Sequence, residues 1–124
     1  EVFAYVPHTL FSDNQLASLT DPNYNHQYFV DGSPIAGDAY FDVDNNGSKE
    51  WRNVLVGTLG AGGKGIFALD TTFLSPSDST YETAEANFSA NRVLWEINST
   101  TTGFVDLGFT LAPFCISSIS KPEP

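Results

Sequence analysis

A chain of 124 residues is long enough to bury the core of one domain, or of part of one, and its 14% aromatic content without methionine predicts a core of Phe, Tyr, Trp and Val. Fifteen acidic residues against five basic ones give a net charge of −10, which repels a phosphate backbone, leaves no basic stripe and argues against nucleic acid as a partner. No apolar run approaches the roughly 20 residues that a bilayer-spanning helix needs, so no transmembrane segment is expected.

Glu1 opens directly on the extended run Val2 to Val6 without a charged-then-apolar leader, so any leader lies upstream or has been removed. Pro7, which fixes φ and lacks a donor, ends this first expected strand. Ser12 and Gln15 have the spacing of a capping box, and Leu16 and Leu19 share one face of a short helix expected near residues 13–19, which stops before Asp21-Pro22. Tyr28 to Val30 reads as a strand broken at Asp31-Gly32, and Ile35 to Phe41 resumes the extended pattern.

After an acidic loop, Trp51 to Val56 forms the next expected strand, apolar on both faces at Val54-Leu55-Val56 as in a strand covered on both sides. Five glycines fall between Gly57 and Gly65. A phosphate loop would need Ser or Thr after Gly63-Lys64 and then a helix; Gly65 and the β-type run Ile66 to Leu69 stand there instead, so a tight hairpin is the better reading. Thr71 to Asn91 is polar and aperiodic, the pattern of a long surface loop. Val93 to Ile97 is a further strand, and Phe104 to Leu111 begins another.

The acidic loop Asp42-Val-Asp44-Asn-Asn46-Gly47-Ser48-Lys-Glu50 carries oxygen-bearing side chains at alternate positions around a glycine. A hard cation such as Ca²⁺ takes six to eight oxygens at roughly 2.3–2.6 Å, and a tightly curled loop delivers them from one short segment. Asp42, Asp44 and Asn46 would give side-chain oxygens, Ser48 its carbonyl, and Glu50 a carboxylate acting directly or through water. The start matches an EF-hand loop, but Asn53 stands where the bidentate glutamate would close it, and strands rather than helices flank it. The same residues also suit a polar hairpin turn without metal.

Other chemistry-bearing residues are isolated. Cys115 is alone, so no internal disulfide forms, and a partly buried thiol is expected. His8 and His26 have no Cys or Glu at metal-ligand or triad spacing. Asp31, Asp38 and Asp70 sit beside glycine or at strand ends, where turn formation explains them. Glycosylation triplets occur at Asn46, Asn87 and Asn98. No enzymatic role is expected.

Short antiparallel strands joined mainly by turns give an all-β chain with the pattern of about one β-propeller blade plus flanking strands. A four-stranded blade cannot cover its own faces, and no second copy of the glycine cluster or of Val-Leu-Trp-Glu-Ile is present, so a piece of a longer protein is expected. Alone, its apolar faces predict self-association.

A resemblance runs along most of the chain. Glu1-Val-Phe-Ala-Tyr-Val-Pro7, Leu19-Thr-Asp-Pro-Asn-Tyr24, His26-Gln-Tyr-Phe-Val-Asp-Gly-Ser-Pro34, the run from Val54 to Asp70, Val93-Leu-Trp-Glu96 and Asp106-Leu-Gly-Phe-Thr110 resemble successive signatures of PilC/PilY-type proteins, the tip-associated adhesins of bacterial type IV pili. The resemblance implies a modified C-terminal β-propeller and an extracellular place at the pilus tip or outer surface. It also implies pilus components and host or abiotic surfaces as partners, and roles in pilus dynamics, adhesion and twitching motility. Some members bind calcium through alternating oxygens, which Asp42, Asp44, Asn46, Ser48 and Glu50 would reproduce. Residues 1–111 are expected to form the partial propeller and 112–124 a divergent tail of the kind left by a truncated or shifted reading frame. Two other readings stand beside this one: a fragment of a quinoprotein dehydrogenase-like propeller, suggested by calcium and by Trp95, and a structural β module without ligand.

Overall fold

The computed structural model describes residues 3–12, 14–43, 45–72 and 88–111. Within them, β1 (Ile35–Phe41), β2 (Glu50–Thr58), β3 (Gly65–Asp70) and β4 (Val93–Asn98) pair antiparallel in sequence order to form one four-stranded sheet. This up-and-down order is that of a single propeller blade.

Strand alternation divides the sheet into two unlike faces. On one, Val54 lies opposite Asp70 and Val56 opposite Ala68. Val54, Val56 and Ala68 are buried together, with Ala39, Phe41, Ile66 and Leu94 packed against them. On the other face Phe67 lies opposite Gly57, and its ring occupies the space a side chain there would need: a Cβ on Gly57 would fall 2.3 Å from the ring tip. The Tyr5 ring packs on Phe67 at 5.0 Å between centroids. Leu10, Leu59 and Leu69 are buried as well. Val54 and Val56 are thus buried while Leu55 between them is half-buried, as a strand covered on both sides requires.

The glycine-rich connection joins β2 to β3, as the hairpin reading requires. Leu59 N–H donates to Gly65 O at 3.0 Å and Gly62 N–H to Leu59 O at 2.8 Å, closing a single 3₁₀ turn at Gly60–Gly62. Gly60 has φ 57°, a left-handed conformation that an L side chain disfavours.

Three expected strands are corrected. Phe3 to Val6 lies outside the sheet and is tied to it through a side chain, the Tyr5 hydroxyl donating to Glu96 on β4. Tyr28 to Val30 is irregular: the Phe29 carbonyl leans against Gly62, and Asp31 N–H donates to Leu59 O at 3.1 Å, so this segment packs across the β2–β3 connection. Phe104 to Leu111 joins no sheet: Phe104 N–H donates to Thr101 O and Leu107 N–H to Phe104 O, closing two turns, and residues 107–111 are irregular. The short helix expected near 13–19 becomes two pieces, α1 (His8–Ser12) and a 3₁₀ segment at Gln15–Thr20. They break at Asn14, which has φ 54°. Ser12 does not cap the second piece; its hydroxyl donates back to the carbonyls of His8 and Thr9. Cys115, Asn87, the tail 112–124 and most of the loop expected over 71–91 lie outside the described residues.

Candidate functional site

The acidic loop connects β1 to β2 at the end of the sheet where Phe41 faces Glu50 across the ladder. It curls back on Asp42. The carboxylate of Asp42 accepts the Asn46 amide through Oδ1 at 3.1 Å and the Gly47 amide through Oδ2 at 2.7 Å. Asn46 Oδ1 accepts the Ser48 amide at 2.7 Å. Asn45 at φ 56° and Gly47 at φ 88° supply the two left-handed residues that the curl needs. Asp and Asn side chains that bond their own downstream amides are the usual means of closing such a loop.

Glu50, expected to complete the oxygen set, is engaged elsewhere. As the first residue of β2 it shares a strand face with Arg52 two residues on, and its Oε1 accepts Arg52 Nη2–H in an ion pair. Arg52 is buried and reaches across to β3, donating from Nη1 to Asp70 Oδ2 at 3.2 Å. Arg92, in the turn leading into β4, places its Nη1 3.5 Å from the same Asp70 oxygen. Asp70 Oδ1 accepts the Thr72 amide at 3.0 Å and the Thr72 hydroxyl. A chain of alternating charges, Glu50–Arg52–Asp70–Arg92, therefore ties the loop's exit to three consecutive elements. A buried carboxylate of this kind is stable only when paired and hydrogen-bonded, as Asp70 is.

The structure thus brings Asp42, Asn46, Gly47 and Ser48 into one curl and turns Glu50 out to Arg52; Asp44 lies outside the described residues. Among the described residues no three His, Cys, Asp or Glu side chains converge as a metal would require. In donor type and backbone curl Asp42 and Asn46 fit a hard cation, while Glu50 joins them only by leaving Arg52.

A second polar cluster was invisible in the sequence. The carboxylate of Glu96 on β4 accepts the Tyr5 hydroxyl at 2.7 Å and the His8 amide at 2.9 Å on Oε2. Its Oε1 accepts the Thr9 amide at 2.7 Å and the Thr9 hydroxyl at 2.6 Å. The anion sits at the start of α1, where helix amides lack partners, and so pins residues 5–9 onto the sheet. Burial by itself pushes Glu96 upward, but the hydrogen bonds from Thr9, Tyr5 and His8 outweigh it and hold the carboxyl below its ordinary value. Burial, then the hydrogen bond to Glu96 and its charge, pushes the Tyr5 hydroxyl up.

The remaining candidates have structural surroundings. Asp38 accepts Asn53 Nδ2–H at 3.1 Å, and the His26 ring meets Tyr28 edge-on at 5.5 Å. Asn98, one of the glycosylation triplets, uses its amide inside the fold, donating to Thr9 Oγ1 at 3.1 Å and accepting from Thr100. Trp95 lies mid-strand on β4, opposite Ala68 and 40% exposed.

The sheet defines a blade of the β-propeller class. A family model, the PilY1 beta-propeller domain, matches residues 3–119, and the chain belongs to that family. It is 40% identical over 113 residues to the type IV pilus biogenesis factor PilY1 of Pseudomonas aeruginosa, covering 90% of this chain and 8% of that protein. Two PilY1 homologues of Xylella fastidiosa are 44% identical over 111 residues and 42% identical over 120 residues, covering 90% and 97% of this chain and 6% and 8% of those proteins. The chain therefore spans less than a tenth of the length of these relatives. No solved structure matches it.

Proposed function

We propose that this chain is one blade of the propeller of an exported type IV pilus biogenesis factor, and that the loop from Asp42 to Glu50 binds calcium to order that blade. The observation that carries the pilus reading is the 40–44% identity to proteins named for type IV pilus biogenesis over at least 90% of the chain. An extracellular place at the pilus tip, contact with pilus components and with host or abiotic surfaces, and roles in adhesion and twitching follow as parts of the same proposal. The blade is non-catalytic in this reading.

Calcium, when bound, supplies two positive charges that offset the loop's own acidity. The chain's residues do the rest. Asp42 and Asn46 hold oxygens that close the curl on its own amides, and Gly47 takes the left-handed backbone conformation, φ 88°, that the turn needs. Because the loop joins β1 to β2 directly, fixing it fixes the register of the edge strand β1 against the rest of the blade.

The test is to place Asp42→Ala with Asp44→Ala in the full-length parent and compare export, surface pili and twitching zones with wild type. Normal export with shrunken twitching zones is expected. Wild-type twitching in a variant shown to have lost calcium would contradict the regulatory role.

A further inference from the structure

The ion pair that takes Glu50 out of the loop also defines how the loop is tuned. We propose that Arg52 is a built-in competitor for the loop's cation: it holds Glu50 on the strand, and its presence sets how tightly the loop binds. This rests on the calcium reading above.

The two partners differ in mobility. The Arg52 side chain is only 10% exposed and is anchored by Asp70, itself 3% exposed, so the guanidinium cannot follow a departing partner. The Glu50 side chain is 52% exposed and sits at the junction of loop and strand, so it can turn either way. In one position it neutralises Arg52; in the other it would face the curl formed by Asp42 and Asn46. A cation entering the loop gains Glu50 only by breaking a pair with a cation already in place. Affinity is therefore lowered by the strength of the Glu50–Arg52 pair, and metal uptake keeps the bond from Arg52 to Asp70 on β3 in place. For a partly exposed pair the effect is modest, roughly threefold in affinity.

The experiment is calorimetric Ca²⁺ titration of the full-length parent in three forms, wild type, Arg52→Gln and Arg52→Lys, with Lys64→Gln as a control for net charge. Lysine keeps a cation beside buried Asp70 but is too short to hold Glu50 as well, so Arg52→Lys is the form to read should Arg52→Gln fail to fold. Both Arg52 variants should bind calcium about threefold more tightly than wild type, while Lys64→Gln stays within error. Calcium binding by wild type with no tightening in a folded Arg52 variant overturns the competition and leaves the calcium reading standing. No calcium uptake by any form overturns both.

Discussion

At the scale of single residues, Glu96 is the group on which most depends. One carboxylate satisfies the Tyr5 hydroxyl, two helix amides and the Thr9 hydroxyl, bringing together residues separated by 87 to 91 positions. Nothing in the sequence around Val93-Leu-Trp-Glu96 marks this role, because its partners are distant in the chain and each is an ordinary residue. The acidic loop was legible for the opposite reason: its donors and acceptors lie within a few residues of one another. What could not be read there was Glu50, whose choice of Arg52 over the loop depends on a buried guanidinium fixed by another strand. Glu96→Ala should release residues 3–12 from the sheet, at a cost of about 2 kcal/mol, or roughly thirtyfold faster amide exchange at His8 and Thr9. Hydrogen exchange read on a peptide spanning those residues checks this. The pH dependence has a definite sign. Since the folded state holds Glu96 below its ordinary value of 4.5, its contribution is complete above that value and is lost as pH falls through the folded one. Exchange in residues 3–12 should accelerate on acidification below about pH 4.5 in wild type. That step should vanish in Glu96→Gln.

At the scale of elements, the tightest fit lies where the segment around Phe29 crosses the β2–β3 connection. A Cβ on Gly62 would fall 1.9 Å from the Phe29 carbonyl oxygen, so both backbones approach closely only because that position is glycine. Gly62→Ala should cost about 1–3 kcal/mol by forcing the two segments apart. Gly47→Ala meets no atom within 4 Å and pays only for its φ of 88°, about 1–2 kcal/mol. The two are separated by exchange at Asp31, whose amide bonds to Leu59 O: it should quicken in Gly62→Ala and not in Gly47→Ala. Four strands could be read from the sequence because period-two patterning and bracketing glycines are local signals. The strands expected at 2–6, 28–30 and from 104 were wrong for a shared reason. Aromatic and β-branched residues there carry strand propensity, but Tyr5 packs its ring on Phe67 of β3, Phe29 lies against the β2–β3 connection at Gly62, and residues 101–107 close turns, so none of them extends the ladder.

At the scale of the whole molecule, the described residues form one four-stranded sheet with β1 and β4 at its edges, and large apolar groups among them are exposed. Trp51 is 51% exposed, Leu111 69% and Val105 71%. In a propeller, neighbouring blades cover such surfaces; in isolation they promote pairing with other copies. Sedimentation of the 124-residue chain alone should show concentration-dependent association, and a compact monomer with a sharp unfolding transition would contradict the blade assignment's dependence on neighbours. The family was legible because its signatures are spread in order along the chain, and the match to residues 3–119 takes in nearly all of them. The central functional claim is that the loop between β1 and β2 is a calcium site. Its most direct test is calorimetric titration of the full-length parent with Ca²⁺ and Mg²⁺, alongside Asp42→Ala. A calcium site here predicts saturable heat with Ca²⁺, much weaker heat with Mg²⁺, and at least roughly tenfold loss of Ca²⁺ affinity in the variant. Equal calcium affinity in wild type and Asp42→Ala would contradict it.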